Sequence, residues 1–493
     1  MPDDIFGDPL PEQGRPNRKR QLADHHQRTV AQRVQDCLDY PLLYEMAELL
    51  PPPATVGCPR EYPAIVYMFL AALTPVTKSK RSAVGLLASP REWRSVRAHI
   101  RRHLGRRTAA ALPLNAPSRH QFQDAVDKLL VPSSDALEEA FRSYAARQAL
   151  EQGLFPSGVP KVWSRPERRQ LLVGDATVPR AISKARKSES VDESTGVLRN
   201  HRVDPAARVY YENGEKAKRE VRGTKWFFAS GRSDGYWTRV ILSFAYVSGG
   251  EYEDEAAVAV RQFTMLKDVL PDCMGIVYDG ALRGIHRDGL ARRGMLAINK
   301  QHGSVTPVFY EHIKPCRSGH ELWCNEGRIA ESISLDDGTR TLAPVPITKL
   351  KPRLGIAKSR WYHVLRIACR HGDHTHRVPV GITTTPADRA LRQADSGKRL
   401  KSDRERGFHR AELLQQIPQS TLAHQLVYPY RADSESVHAQ FDQSLWNRRM
   451  VAYGMERQKV FVLGFSLAQN ATSHQIHLEG RSIAQTVSGL ACP

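Results

Sequence analysis

A chain of 493 residues is longer than one hydrophobic core supports and calls for two to four modules. Its 72 Lys and Arg against 52 Asp and Glu leave a formal net charge of +20 and a pI near 9.8, which favours a polyanionic partner, nucleic acid or an anionic membrane surface, over the bland reading of a basic proteome with no polyanion. The longest apolar run, Ala64 to Leu73, is followed by Lys78, Lys80 and Arg81 and falls short of the roughly 18 residues of a membrane span, so no membrane role is expected.

Residues 1–27 are polar, with the basic run Arg18-Lys19-Arg20, and read as a mobile tail. From 28 to 165 the periodicity is helical. Segments run from Thr29 to Tyr40, Pro63 to Leu73, Ser79 to Leu87, Pro90 to Leu104, Ser118 to Leu130 and Ser134 to Leu150. The Pro90 segment carries Arg91, Arg94, Arg97, Arg101 and Arg102. It reads either as a DNA-binding helix, through Arg94, Arg97 and Arg101, or as a bundle helix with a solvated face.

Strand patterns begin near residue 166. Leu171 to Val178, Lys225 to Ala229 and Thr238 to Val247 precede an amphipathic helix, Glu253 to Leu270. A short strand, Met274 to Tyr278, a polar helix near His286 to Arg293 and a strand, Met295 to Asn299, complete the stretch to residue 300. Three strands, then a crossover helix to a further strand, predict an α/β mixed sheet with helices packed on it. Residues 301–405 lose the helical pattern and read as a mostly β insertion, ending in a polar linker at 395–406. In 406–493 helices return, Ser434 to Trp446 and Lys459 to Asn470 being the clearest. No secretory-signal pattern opens the chain, and seven scattered cysteines fit a reducing cytoplasm.

Two acids end apolar runs. Asp175 follows Leu171-Leu172-Val173-Gly174, and Asp279 follows Ile276-Val277-Tyr278. Both fall at the carboxyl ends of strands, the edge where α/β sheets build their sites. Two carboxylates delivered side by side repel each other unless a divalent cation lies between them. Two Mg²⁺ ions held by carboxylates are the apparatus of phosphodiester cleavage. Glu435, on a later helix, completes the set.

These residues carry a resemblance to the DDE transposases of bacterial insertion sequences. Gly174-Asp175-Ala176-Thr177 looks like the family's first-Asp motif and Tyr278-Asp279-Gly280 its second. Tyr428, Arg431 and Glu435 reproduce the Tyr-x2-Arg-x3-Glu part of the Tyr-Arg-Glu-Lys signature, and the stretch from Glu435 through Gln440, Phe441 and Trp446 to Arg449 is also similar. The resemblance runs from about residue 30 to 475. It implies an RNase H-like core interrupted by the β insertion, with an N-terminal helical domain. It also implies catalysis by Asp175, Asp279 and Glu435 through two Mg²⁺ or Mn²⁺ ions, and DNA contacts from Tyr428, Arg431 and Arg449. The substrates would be double-stranded terminal inverted repeats and target DNA, gathered by a homodimer, with the chain nucleoid-associated when bound. The signature's Lys is Asp442 here. Either a cation such as Arg449 compensates, or the chain is a silent, DNA-binding relative. An RNase H-like nuclease that does not transpose is the other alternative.

Cys316-x3-His320-x3-Cys324 and Cys369-x-His371-x2-His374-x-His376 both lie in the β-rich stretch. One reading is a zinc site drawing on Cys316, His320, Cys324 and Cys369. The spacing fits no standard finger, which favours reduced thiols and surface histidines. Lys349, Lys351, Arg353, Lys358 and Arg360, interleaved with Trp361 and Tyr362, read equally as a phosphate-tracking, base-stacking surface or a solvated basic hairpin.

Overall fold

The computed structural model describes residues 4–8, 28–53, 60–192, 194–212, 219–235, 238–250, 253–301, 306–313, 316–355, 358–380 and 413–490, with side chains of the final helix to 482. The basic run at 18–20 and the linker at 395–406 lie outside these residues. Helices come first: α1 (Val30–Leu38), α2 (Pro41–Glu48), α3 (Ala64–Thr77), α4 (Lys80–Ala88), α5 (Pro90–Ala110), α6 (Arg119–Ala125) and α7 (Ser134–Glu151). Next come β1 (Leu171–Thr177), the pairs β2 (Glu189–Val191) with β3 (Leu198–Asn200) and β4 (Arg208–Glu212) with β5 (Arg219–Gly223), then β6 (Lys225–Gly231) and β7 (Val240–Val247). The chain continues through α8 (Glu255–Val269), β8 (Gly275–Val277), α9 (Gly284–Arg292) and β9 (Leu296–Ile298). Seven strands follow: β10 (Val308–His312), β11 (Glu321–Asn325), β12 (Arg328–Ser334), β13 (Arg340–Pro344), β14 (Ile347–Arg353), β15 (Arg360–Ile367) and β16 (His374–Val380). The last helices are α10 (Leu422–Val427), α11 (Ala432–Gln443) and α12 (Met455–Leu490).

The molecule is mixed α/β. β1, β8 and β9 run parallel as neighbours in that order, and β6 and β7 pair antiparallel. The chain divides into two compact units. The first comprises Met1–Arg20, Phe155–Asp175 and Gly249–Asp433, the second Gln21–Leu154, Ala176–Ser248 and Ser434–Pro493.

In the second unit the helices start where local chemistry dictates. Thr29 with Gln32 and Ser118 with Gln121 form reciprocal capping boxes, and Pro41 and Pro90 occupy first-turn positions that need no N–H. α3 is buried from Ile65 to Val76 and packs against α12. Pro75 has no N–H to offer the Ala71 carbonyl, and α12 approaches that oxygen at Gly464. A Cβ on residue 464 would lie 2.2 Å from it. On β7, the Asn470 side chain takes the place of a neighbouring strand. Its Oδ1 accepts from Ile241 N and its Nδ2 donates to Ile241 O, both at 2.8 Å.

The first unit uses the same device on β9: Gln416 accepts from Ala297 N at 2.9 Å and donates to Met295 O at 3.0 Å. Its β-rich part holds a four-stranded sheet, β10-β11-β12-β13, and a three-stranded one, β14-β15-β16. One apolar cluster joins β1, β8 and β9 to both of these sheets.

Several expectations need correction. Residues 4–8 are not a mobile tail. Phe6 is fully buried, Ile5 N donates to Ile347 O at 2.9 Å, and Ala423 N donates to Phe6 O at 2.9 Å. The helix begun near Ser434 stops at Gln443 rather than Trp446. Trp446 and Arg449 instead close a two-residue turn in which Asn447 and Arg448 take φ of 50° and 55°, as a type I′ turn requires. Arg449 is therefore not a further turn of the helix that carries Asp442. Trp361 stacks on no base: it is buried, and its Nε1 donates to Ala291 O at 2.8 Å. Tyr362 lies under the Arg377 guanidinium at 3.7 Å.

Candidate active site

The site forms where β1 and β8 run side by side. Leu171, Leu172 and Val173 pair with Gly275, Ile276 and Val277, and all six are buried. Carried two residues further, that register sets Asp175 opposite Asp279 just as both strands reach the surface. Gly275 is required here, because a Cβ on it would lie 2.4 Å from the Leu296 carbonyl oxygen of β9.

A third acid joins them. Glu255, in the first turn of α8, brings a carboxylate oxygen within 4.8 Å of those of Asp175 and Asp279, all three half-buried. Tyr278 fixes it, its hydroxyl donating to Glu255 Oε1 at 2.9 Å. Burial, then the charges of Glu255, Asp175 and Asp279, push the Tyr278 phenol well above its ordinary range, so it stays a donor. Asp279 is held by its own turn, Oδ1 accepting from Ala281 N at 2.8 Å. Three hard oxygen donors this close repel one another, and a divalent cation relieves that repulsion. The set fits Mg²⁺ or Mn²⁺ and lacks the soft donors that select zinc.

The signature residues Tyr428 and Arg431 come to the same place. Arg431 Nη1 is 4.0 Å from Asp175 Oδ2. Tyr428 stacks on His424 with ring centres 5.1 Å apart, and Lys300 Nζ lies 5.6 Å from its ring centre. Burial raises the Tyr428 phenol, Arg431 draws it down, and Asp279 and Asp175 raise it again, an electrostatic record of all three neighbours. Glu435 belongs to the second unit, exposed on the first turn of α11. Glu255 went unnoticed in the sequence, where an acid in a helix's first turn reads as a response to the helix dipole. The available signal was its position, opening the helix that connects two of the sheet strands.

The second unit carries two basic surfaces. Arg94, Arg97, Arg101, Arg102 and Arg106 line a groove of about 870 Å³ along α5, whose opposite face buries Trp93, Val96 and Ile100. The helix is interrupted at Gly105, with φ 88°. A second cleft of about 660 Å³ is lined by Lys78, Lys80, Arg81, Arg119, Arg202 and Arg449. Trp446, 64% exposed, stands at this cleft, and Arg449 is anchored by donating to Ala181 O at 2.8 Å. Each of these arginines thus lies in one of two cationic concavities.

Of the cysteines and histidines weighed for zinc, Cys316, His320 and Cys369 come together with His374. Cys324 does not join them: it is buried in β11, where burial pushes its thiol up to about 12. Among the described residues no helix is long and apolar enough to cross a membrane. Compared with protein-family models, with curated proteins and with solved structures, the chain matches none.

Proposed function

We propose that this chain is a DDE-type transposase with an RNase H-like core, cutting DNA at transposon ends and joining the freed strand to a target. One observation carries the reading: the β1–β8 register sets Asp175 opposite Asp279 at a sheet edge, with Glu255 alongside. The parallel neighbours β1, β8 and β9, with α8 leading into β8, support it. So do the Tyr428 and Arg431 contacts and the cationic concavities of the second unit. The stretch from β10 to β16 stands, in this reading, as the β insertion.

The division of labour follows from the side chains. Asp175, Asp279 and Glu255 would hold Mg²⁺ or Mn²⁺, and the resemblance assigns Glu435 the same role. Bound there, the ions supply activation of the attacking oxygen and stabilisation of the leaving one. Tyr278 keeps Glu255 oriented. Arg431 offsets negative charge beside Asp175 and is placed to meet a phosphate. The arginines of α5 and the cleft at Trp446 would position the duplex, since contacts to phosphate fix register without reading sequence.

Asp442 favours the second reading, a silent DNA-binding relative, because it sets an acid where the signature has a cation. The test uses the full chain, Mg²⁺ and a duplex taken from the DNA flanking the gene. Nicking plus joined product supports transposition. Nicking without joining leaves a nuclease, and binding without nicking leaves the silent relative. Glu255→Gln and Glu435→Gln, assayed side by side, decide which glutamate serves the metal.

A further inference from the structure

A second donor cluster lies in the β-rich part of the first unit, and the acid site makes no use of it. Cys316 sits in the turn between β10 and β11, and Cys369 in the turn between β15 and β16. His320 immediately precedes β11 and His374 opens β16. One donor atom from each lies within 4.8 Å of all the others.

The two turns are built alike. Cys316-Arg317-Ser318-Gly319 and Cys369-Arg370-His371-Gly372 share the pattern Cys-Arg-x-Gly. In each, the glycine N–H donates to the cysteine carbonyl, at 3.3 and 3.0 Å. In each, the amide two residues after the cysteine donates to its sulfur at 3.4 Å. Both glycines have positive φ, 66° and 105°, which a side chain would resist. Backbone N–H groups aimed at sulfur favour the thiolate. The sulfurs lie 3.4 Å apart and both cysteines are free. That is far beyond the roughly 2.05 Å of a disulfide and close to the edge of a tetrahedron with metal–sulfur bonds of about 2.3 Å.

The histidines supply the other half. His320, 7% exposed, donates its Nδ1–H to Glu331 Oε1 at 2.5 Å, so Nε2 is the other end of the ring and carries the lone pair. A carboxylate behind the ring is the usual support of a metal-bound histidine. The Nε2 atoms of both His320 and His374 are buried without a hydrogen-bond partner among the described residues. One ring nitrogen of each histidine lies within 4.8 Å of both sulfurs. A buried ring nitrogen left unpaired is costly, and here two such rings lie beside two sulfurs.

We propose that Cys316, His320, Cys369 and His374 form a structural zinc site, closed by four protein ligands. The ion would tie the turn leading into β11 to the turn leading into β16, and so clamp the four-stranded sheet to the three-stranded one. The His376–Glu311 pair, 2.6 Å between β16 and β10, marks the same seam. With no open coordination position the ion takes no part in chemistry, so the proposal is independent of the acid site.

The experiment is metal analysis of the full chain purified under reducing conditions, followed by Co²⁺ replacement. We expect about one zinc per chain, and a Co²⁺ spectrum with tetrahedral d–d bands and thiolate charge transfer. Cys316→Ser and His374→Gln should each lose the metal, His371→Gln should keep it, and Glu331→Gln should weaken binding about 10- to 100-fold. A folded wild-type chain without zinc, or with a Cys316–Cys369 disulfide under reducing conditions, overturns the proposal. So does zinc retained by folded Cys316→Ser and His374→Gln variants. If those variants do not fold, the wild-type Co²⁺ spectrum decides: bands lacking thiolate charge transfer overturn the assignment.

Discussion

Asp175, Glu255 and Asp279 reach their common point from two strand ends and the first turn of a helix, whereas Cys316, His320, Cys369 and His374 reach theirs from two matching turns and the strand starts beside them. The first group is all oxygen, half-buried, with cationic and aromatic side chains around it. The second is sulfur and nitrogen, with amides behind the thiols and a carboxylate behind His320. Ligand softness separates them: hard carboxylates suit Mg²⁺ or Mn²⁺ and leave room for water and substrate, while a closed Cys₂His₂ set suits zinc and admits neither. In the proposed reading, chemistry and architecture fall to different metals within one unit.

The comparison is broken most decisively at the acids. Asp175→Asn or Asp279→Asn should reduce Mg²⁺-dependent nicking by on the order of 10³-fold while leaving zinc content unchanged. Metal analysis beside a nicking assay reads both, and a joint loss would mean the clusters are not independent. Removing the soft cluster should act on stability instead. At free zinc about 1,000 times Kd, a bound ion contributes about 4 kcal/mol, so Cys316→Ser combined with Cys369→Ser should lower Tm and abolish its dependence on added zinc. Thermal melts with and without zinc test this, and an unchanged Tm would reduce the cluster to a polar seam.

Smaller effects sharpen the picture outside both clusters. Reversing Arg94, Arg97 and Arg101 to Glu should weaken duplex binding and flatten its log–log salt slope by about 2.7, three phosphate contacts at 0.9 each. Binding titrations from low to moderate salt measure it, and an unaltered slope would return α5 to a solvated bundle face. Asp442→Lys should strengthen end binding by about 0.5–1 kcal/mol without abolishing nicking, because a half-buried charge is still partly screened by solvent. Weaker binding by a folded variant would show that Asp442 has an accommodating role of its own.

Most helices and core strands were legible because their signals are local. Capping residues, first-turn prolines and apolar periodicity act within a few positions, and Val437 and Phe441, four apart on α11, are both buried. Pairs such as β2–β3 and β4–β5 were not legible. β2 and β3 are wholly exposed, so no apolar alternation marks them. The end of α11 was missed because a left-handed Asn447-Arg448 turn carries no glycine to announce it.

By itself the sequence determined the acid pair: an apolar strand that ends in Asp delivers that Asp to a sheet edge in whatever fold it joins, and two such strands needed only to be neighbours. It also determined the clustering of arginine along α5, since positions three and four apart share a helix face. Tertiary structure alone decided that Glu255 joins the acids, that His374 and not Cys324 joins the cysteines, and that Trp361 packs inward. Each of those outcomes depends on which turns and strands meet across long stretches of chain, and a contact made that way leaves no periodic trace in the residues that make it.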